Sequence, residues 1–315
     1  VTACTVAIDL GGTSMKGALV AAGGTVLARI DAPTPAADGG PAVLAAVLRL
    51  ARTLATTVQP VRVVGAAAVT PGQVHGGVVR FAANLGWRDV PLAAELSAAL
   101  GVPAAVEHDA AGAALAEASY GNRGADCLFV ALGTGIGAGH VRDGRVASGS
   151  TGGAGELGHI PVYPDGEPCA CGQRGCLEVY ASAAAVARRY AARAAAGGEG
   201  SGPAGADAVV ARLATDPVAR AVWGEAVDAL ALALATTVLL VDPGVIVLGG
   251  GLARAGDALL EPLSVALAGR LAWRSPPPLE LPVLGTDAGW RGASLLAESV
   301  AESEPVAEPP VGAVR

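Results

Sequence analysis

The sequence predicts an α/β protein made of two similarly wired halves. An apolar, strand-like run ending in a glycine–threonine turn occurs at residues 3–13 and again at 127–135, each followed by a second run and a glycine hairpin. The two occurrences lie about 120 residues apart, as an internal duplication would place them. Composition agrees: hydrophobic residues make up 52% of the 315-residue chain but aromatics only 3%. Ala, Val and Leu must therefore fill the interior, and small side chains suit closely spaced helices and sheets.

In chain order, the run ACTVAID at 3–9 is β-branched and ends on a carboxylate. Gly11-Gly12-Thr13, a second apolar run, Gly23-Gly24 and TVLARI come next, which read as turn, strand, hairpin and strand. Residues 41–58 carry helical spacing, and Val61 to Val69 reads as a buried strand leading into Pro71-Gly72. In the second half, Cys127 to Leu132 is a strand, and Asp143-Gly144 signals a type I′ hairpin. Ala229 to Val241, bounded by Asp228 and Asp242, is apolar for 13 residues. A spanning helix needs about 20, so a buried core helix is expected in spite of a mean hydropathy of +0.50. Residues 196–206 are low in complexity and read as a mobile loop. The Pro-rich end, 304–315, reads as a disordered tail. The expected division is a first lobe over 1–115, completed by a returning helix at about 291–303, and a second lobe over 116–290.

Charge and targeting signals exclude several function classes. Net charge is −7, Lys16 is the sole lysine, and no basic stripe with interleaved aromatics occurs, which argues against nucleic-acid binding. An anionic ligand would rest on backbone amides and a few local cations. The N-terminus lacks a basic region and carries Asp9 inside its apolar run, unlike a signal peptide. The expected compartment is the cytoplasm, with no membrane partner.

Five motifs can carry chemistry. In Asp9-Leu10-Gly11-Gly12-Thr13-Ser14-Met15-Lys16, glycines after a strand let amides close on phosphate oxygens. Asp9 could hold Mg²⁺ through water. An ordinary tight turn would look the same. Gly133-Thr134-Gly135-Ile136-Gly137 is a second such turn; the hairpin-like segment after it argues against a dinucleotide fingerprint, which opens a helix. Asp109 stands where a helix N-cap is expected and could instead take the proton of an attacking hydroxyl. His159, Cys169, Cys171 and Cys176 supply one imidazole and three thiolates, the donor set of a closed structural Zn²⁺ site. Glu156 and Glu178 flank that cluster and suit vicinal hydroxyls, or are solvated surface acids. Gly249-Gly250-Gly251 after a buried strand allows close approach to a flat ligand, or is a plain strand-to-helix turn. His75 and His140 read as surface residues. Trp87, Trp223, Trp273 and Trp290 read as packing anchors.

Together, DLGGTSMKG, EHDAAGAALAE, ALGTGIGAG, GELGHI, CACGQRGCLE, VIVLGGG and TDAGWRGAS, in that order between about residues 4 and 300, resemble the ROK family of sugar kinases and repressors. The resemblance implies the actin/hexokinase-like two-lobed α/β fold with duplicated mixed sheets. It implies an ATP-dependent hexose 6-kinase with Asp109 as catalytic base. Asp9, Gly11, Gly12, Thr13, Lys16, Gly133, Thr134 and Gly135 are then expected at the phosphates and magnesium, and Gly249, Gly250 and Gly251 at the adenosine. Gly72, Asn84, His108, Glu156, His159 and Glu178 are the implied sugar contacts, with His159 also on zinc. ATP, Mg²⁺ and a structural Zn²⁺ are the implied cofactors, and a homodimer the implied assembly. With no winged helix-turn-helix before Asp9, a kinase is expected rather than one of the family's repressors, and Asp109 with the intact phosphate motifs argues against a sugar-sensing regulator without catalysis.

One position departs from the family pattern. Glucokinases of the family carry Asn before the catalytic Asp, at the sugar's 3- and 4-hydroxyls, whereas this chain has His108. Neutral imidazole offers one donor and one acceptor on a larger ring. A substrate altered at C3 or C4 is therefore expected. Kanosamine, 3-amino-3-deoxyglucose, is the candidate, as similar kinases serve ansamycin antibiotic biosynthesis.

Overall fold

The computed structural model describes residues 1–197 and 205–303. The expected loop at 196–206 thus lies largely outside the described residues, and the expected tail at 304–315 wholly so. The chain divides into two compact units, Val1–Asp109 with the segment from Gly289 onward, and Ala110–Ala288.

The first unit is built on strands β1 (Thr2–Leu10), β2 (Ser14–Ala21), β3 (Thr25–Pro33), β4 (Val61–Thr70) and, later in the chain, β8 (Ala104–His108). Their order is β3-β2-β1-β4-β8. β2 is antiparallel to β1 and β3, whereas β4 lies parallel to β1 and β8. Gly23 and Gly24 both have positive φ (79° and 82°), the geometry of the twisted two-residue hairpin that the sequence signals. Central β1 is buried on both faces from Cys4 to Ala7, so it reads as a continuous apolar run rather than an alternation.

One face of this sheet is covered by α1 (Gly40–Thr57), which buries Val43, Val47, Leu50 and Leu54 at helical spacing. A small sheet of β5 (Gln73–His75), β6 (Val78–Ala82) and β7 (Trp87–Val90) comes after β4, and α2 (Leu92–Leu100) precedes β8. The final helix of the chain, Ala288–Glu302, covers the opposite face, burying Ala293 and Ala297 against Ala7, Ala67 and Val69. Close approach depends on Gly65, where a Cβ would stand 2.4 Å from the Ala297 carbonyl oxygen.

The second unit repeats the wiring. After α3 (Asp109–Ser119) come β9 (Cys127–Leu132), β10 (Ile136–Arg142) and β11 (Arg145–Val146). A helical layer is next: α4 (Glu178–Ala181), α5 (Ala183–Ala196), α6 (Ala206–Val210) and α7 (Pro217–Val241). β12 (Val245–Gly249), α8 (Asp257–Arg270) and β13 (Leu279–Glu280) precede the final helix, α9. The sheet order β11-β10-β9-β12-β13 matches that of the first unit, with antiparallel pairs on one side of β9 and parallel pairs on the other. This is the duplicated mixed-sheet plan of the actin/hexokinase-like fold. Asp143 (φ 51°) and Gly144 (φ 74°) form its hairpin.

Several expectations need correction. The apolar stretch Ala229–Val241 is the last half of a 25-residue helix, started by Pro217 and by Asp216, whose side chain accepts the amides of Val218 and Ala219. By length and composition α7 could cross a membrane; half of its most apolar window is buried inside the unit. Its end is not core, since Leu239 and Leu240 are 55% and 78% exposed. Trp87, Trp223 and Trp290 are buried, but Trp273 is 74% exposed beside the Arg274 guanidinium and anchors nothing. His140 is not a surface residue either: its side chain is largely covered and its Nε2 pairs with Asp126 Oδ1 at 3.0 Å.

Candidate active site

Elements of the first unit deliver their functional residues to one edge of its sheet, because β1, β4 and β8 run parallel and end together. Asp9 lies at the end of β1, Gly72 just beyond β4, and Asp109 just beyond β8. The carboxyl edge of parallel strands is where open α/β sheets bind ligands. The turn Gly11-Gly12-Thr13 is closed by Gly11 N–H donating to the Ser14 carbonyl at 2.9 Å. Thr34 holds it from behind, its hydroxyl donating to the Gly11 carbonyl at 2.7 Å and its amide to that of Thr13 at 3.0 Å. Among the described residues, the amides of Gly12 and Thr13 carry no hydrogen bond, which leaves two adjacent donors for an anion. Asn84 comes alongside, its Cβ 3.6 Å from where a Cβ on Gly12 would be. Gly72 needs its positive φ of 97°, and a Cβ there would meet the Phe81 carbonyl at 2.3 Å.

The two carboxylates of this edge differ in character. Burial pushes Asp9 up to about 6; Asp109 adds to the rise, and Lys16, opposite Asp9 in the strand register, opposes it. Its carboxylate accepts no hydrogen bond among the described residues. A largely covered carboxylate that accepts no hydrogen bond and is opposed by Lys16 among the described residues fits a hydrated divalent ion, whose charge would hold it ionised. Asp109, by contrast, has a side chain 44% exposed. It is the first residue of α3 rather than the residue before it, so it sits where the helix dipole favours a negative charge. His108 Nε2 lies 3.4 Å from Asp109 Oδ1, and the His108 amide donates to Glu107 Oε1 at 2.8 Å.

Two residues of this edge escape sequence reasoning. Thr34 has no motif. Gly289 is visible in the sequence only as part of a helix start, yet a Cβ on it would stand 2.4 Å from Asp9 Cγ and Oδ2. Only glycine lets the first turn of α9 close on that carboxylate.

In the second unit, the turn Gly133-Thr134-Gly135 repeats the first: Gly133 N–H donates to the Gly135 carbonyl at 2.9 Å. The amides of Thr134 and Gly135 carry no hydrogen bond among the described residues. Ile136 N–H donates to Glu178 Oε2, and Ala183 N–H to the Gly133 carbonyl, both at 2.9 Å. Neighbouring β12 carries Gly249 to the same edge. Gly250, at φ 85°, passes so close to β9 that a Cβ would stand 2.5 Å from the Leu132 carbonyl oxygen. Beside Gly251 opens a cavity of about 350 Å³ lined by Ala183, Asp207, Val210, Leu252 and Arg254. Sequence reasoning missed Asp207 and Arg254, because no local pattern links them to the glycines.

The metal-type cluster is assembled. The ligand atoms of His159, Cys169, Cys171 and Cys176 all lie within 4.8 Å of one another. Cys171 and Cys176 Sγ are 3.7 Å apart, and Cys169 Sγ is 3.9 Å from His159 Nδ1. A tetrahedral ion with Zn–S bonds of about 2.3 Å sets its sulfurs about 3.8 Å apart, so the donor set fits zinc. Burial, reinforced by the Cys171 and Cys169 thiols, pushes Cys176 up to about 12, a penalty that a bound cation reverses. Gly172 (φ 93°) and Gly175 (φ 70°) make the turns of the loop. With Nδ1 turned to the thiols, His159 presents Nε2 to the other side, 3.9 Å from Glu156 Oε2.

The chain is similar to known proteins over most of its length. The ROK family profile matches residues 5–300. A glucokinase of Halalkalibacterium halodurans is 34% identical over 274 residues, covering 82% of this chain and 83% of that one. A ROK glucokinase of Streptomyces griseus, solved in complex with glucose and AMPPNP, superposes with a TM-score of 0.75 at 29% identity, over 94% of this chain and 99% of that chain. A ROK transcriptional regulator, a homologue of the E. coli MLC protein, superposes with a TM-score of 0.83 at 28% identity, over 96% of this chain and 79% of the other.

Proposed function

The chain belongs to the ROK family, and on that premise we propose that it transfers the γ-phosphoryl group of ATP to the 6-hydroxyl of glucose or an analogue altered at C3 or C4. The observation that supports this reading most is the difference between two carboxylates on one sheet edge: Asp9, largely covered and raised to about 6, and Asp109, with a side chain 44% exposed. One suits a metal, the other a hydroxyl. Asp109 accepts the proton of the sugar hydroxyl as that oxygen attacks phosphorus. The unbonded amides of Gly12 and Thr13, and those of Thr134 and Gly135, hold phosphate oxygens. Asp9 would hold a hydrated Mg²⁺, which would supply neutralisation of the charge that develops on the phosphates. Gly249, Gly250 and Gly251, with the cavity walled by Asp207 and Arg254, take the adenosine end. Gly72, Asn84, Glu156, His159 Nε2 and Glu178 take sugar hydroxyls, with Zn²⁺ fixing the loop that carries the last two. The family resemblance adds a homodimer to the proposal.

His108 supports the altered substrate. Its ring lies against Asp109, and a neutral imidazole nitrogen would accept a hydrogen bond from a 3-ammonium group. ADP release measured over a panel of sugars tests the reading. Turnover is expected, with kcat/KM for kanosamine exceeding that for glucose, since a site built for a polar group can reject the wrong analogue by about 10⁴ or more. A preference for glucose would remove the substrate refinement and keep the kinase. The likeness to the regulator favours a second reading, a sugar sensor without catalysis; sugar binding without ADP release on any sugar would establish it.

A further inference from the structure

In the sugar-kinase reading Glu178 meets a sugar hydroxyl, and its further role rests on that reading. The same carboxylate has a second engagement. Its Oε2 accepts the Ile136 amide at 2.9 Å, at the exit of the glycine turn. At the entry, Gly133 gives its carbonyl to the amide of Ala183 at 2.9 Å. Both ends of the turn Gly133-Thr134-Gly135 are thus held by one short stretch, residues 178–183, which begins two residues after the last cysteine of the metal loop. The stretch is fixed in turn: Leu177 N–H donates to the Ile160 carbonyl at 2.9 Å, and Val179 N–H to that of Cys176 at 3.2 Å.

Space at the contact is exhausted. A Cβ on Gly135 would stand 2.5 Å from Glu178 Oε2 and 3.4 Å from its Cδ. No other atom is so near, so an alanine there would displace the carboxylate while leaving the backbone its room. At Gly133 the nearest atom to a Cβ is the Gly135 carbonyl oxygen, at 3.8 Å, an ordinary contact.

We propose that Glu178 is the residue through which sugar and nucleotide binding are coupled, one carboxylate serving both the sugar hydroxyl and the phosphate turn. A hydroxyl that engages Glu178 fixes the oxygen that holds the Ile136 amide, and with it the turn whose Thr134 and Gly135 amides meet phosphate. Linkage makes the effect reciprocal: each ligand tightens the other by the same factor. Gly135, although part of the phosphate turn, is thereby a determinant of sugar affinity.

The test is equilibrium titration of the full chain by calorimetry, with glucose and with a non-hydrolysable ATP analogue in Mg²⁺, each alone and in the presence of the other. Wild type should show equal reciprocal tightening of about fivefold or more. Gly135→Ala should weaken glucose binding measured without nucleotide by about tenfold, the loss expected when a charged acceptor is moved off its partner, and should bring the coupling factor close to one. Gly224→Ala, an alanine substitution in α7 where nothing lies within 4 Å of a Cβ, should leave glucose affinity without nucleotide within about twofold of wild type. Unchanged glucose affinity in Gly135→Ala would overturn the proposal. Should that variant fail to fold, Glu178→Ala decides: the nucleotide analogue, titrated without sugar, should bind at least about fivefold more weakly, and wild-type affinity would overturn it. A wild-type chain that binds the nucleotide but no sugar of the panel would fail the sugar-kinase reading itself, and this proposal with it.

Discussion

Asp9 sits where function and stability oppose each other. Its folded-state value of about 6 lies above the ordinary 3.8, so the fold favours the protonated carboxyl. Stability from this group is therefore fully present below pH 3.8 and is lost as pH rises through about 6. The full cost above that range is on the order of 3 kcal/mol. Asp9→Asn should raise the Tm of the ligand-free protein by a few degrees at roughly pH 8, have little effect at roughly pH 4, and abolish Mg²⁺-dependent nucleotide binding. Calorimetric scans at the two pH values check this, and a lower Tm at both would contradict it. Asp9 was legible in the sequence because a carboxylate ending an apolar run before two glycines is a local signal. Gly289, which makes room for that carboxylate, was not. It lies 280 positions away, and only the return of α9 to β1 brings the two together. Thr34 was hidden for the same reason: its two bonds to the first turn cross a hairpin.

Among the elements, the metal loop was the most legible, since three of its four donors fall within eight residues and its glycines mark the turns. Its thiols face one another at close range, and Cys176 is held far from its ionised state unless a cation is present. Elemental analysis should find about one Zn²⁺ per chain. Chelation should lower the Tm of the second unit and speed hydrogen exchange there, with the least change in the first unit. A metal-free protein with unchanged stability would contradict the assignment. Other elements were misjudged where local pattern does not report packing. The apolar end of α7 turns Leu239 and Leu240 outward, and Trp273 lies on the surface, because hydrophobicity alone does not say which face a neighbour covers. The small sheet of β5, β6 and β7 gave no clear signal, its strands being only three to five residues long.

At the scale of the whole molecule, the duplication was the main legible feature, since each copy of the wiring is announced by a glycine–threonine turn between apolar runs. Both sheets have the same strand order and the same change from antiparallel to parallel pairing at the first strand of each copy. Edge strands β8 and β13 were harder to read, being short and pairing across long sequence separations. The proposed catalytic role belongs to this scale, because Asp109 stands at the point where the chain leaves the first unit. Asp109→Asn removes the proton acceptor and keeps the side chain's size and its place in the first turn of α3. Measured with the best sugar of the panel at saturating ATP, the variant should retain sugar and nucleotide binding within a few-fold while kcat falls by at least about 10². Near-normal turnover would contradict the assignment of Asp109 as the base.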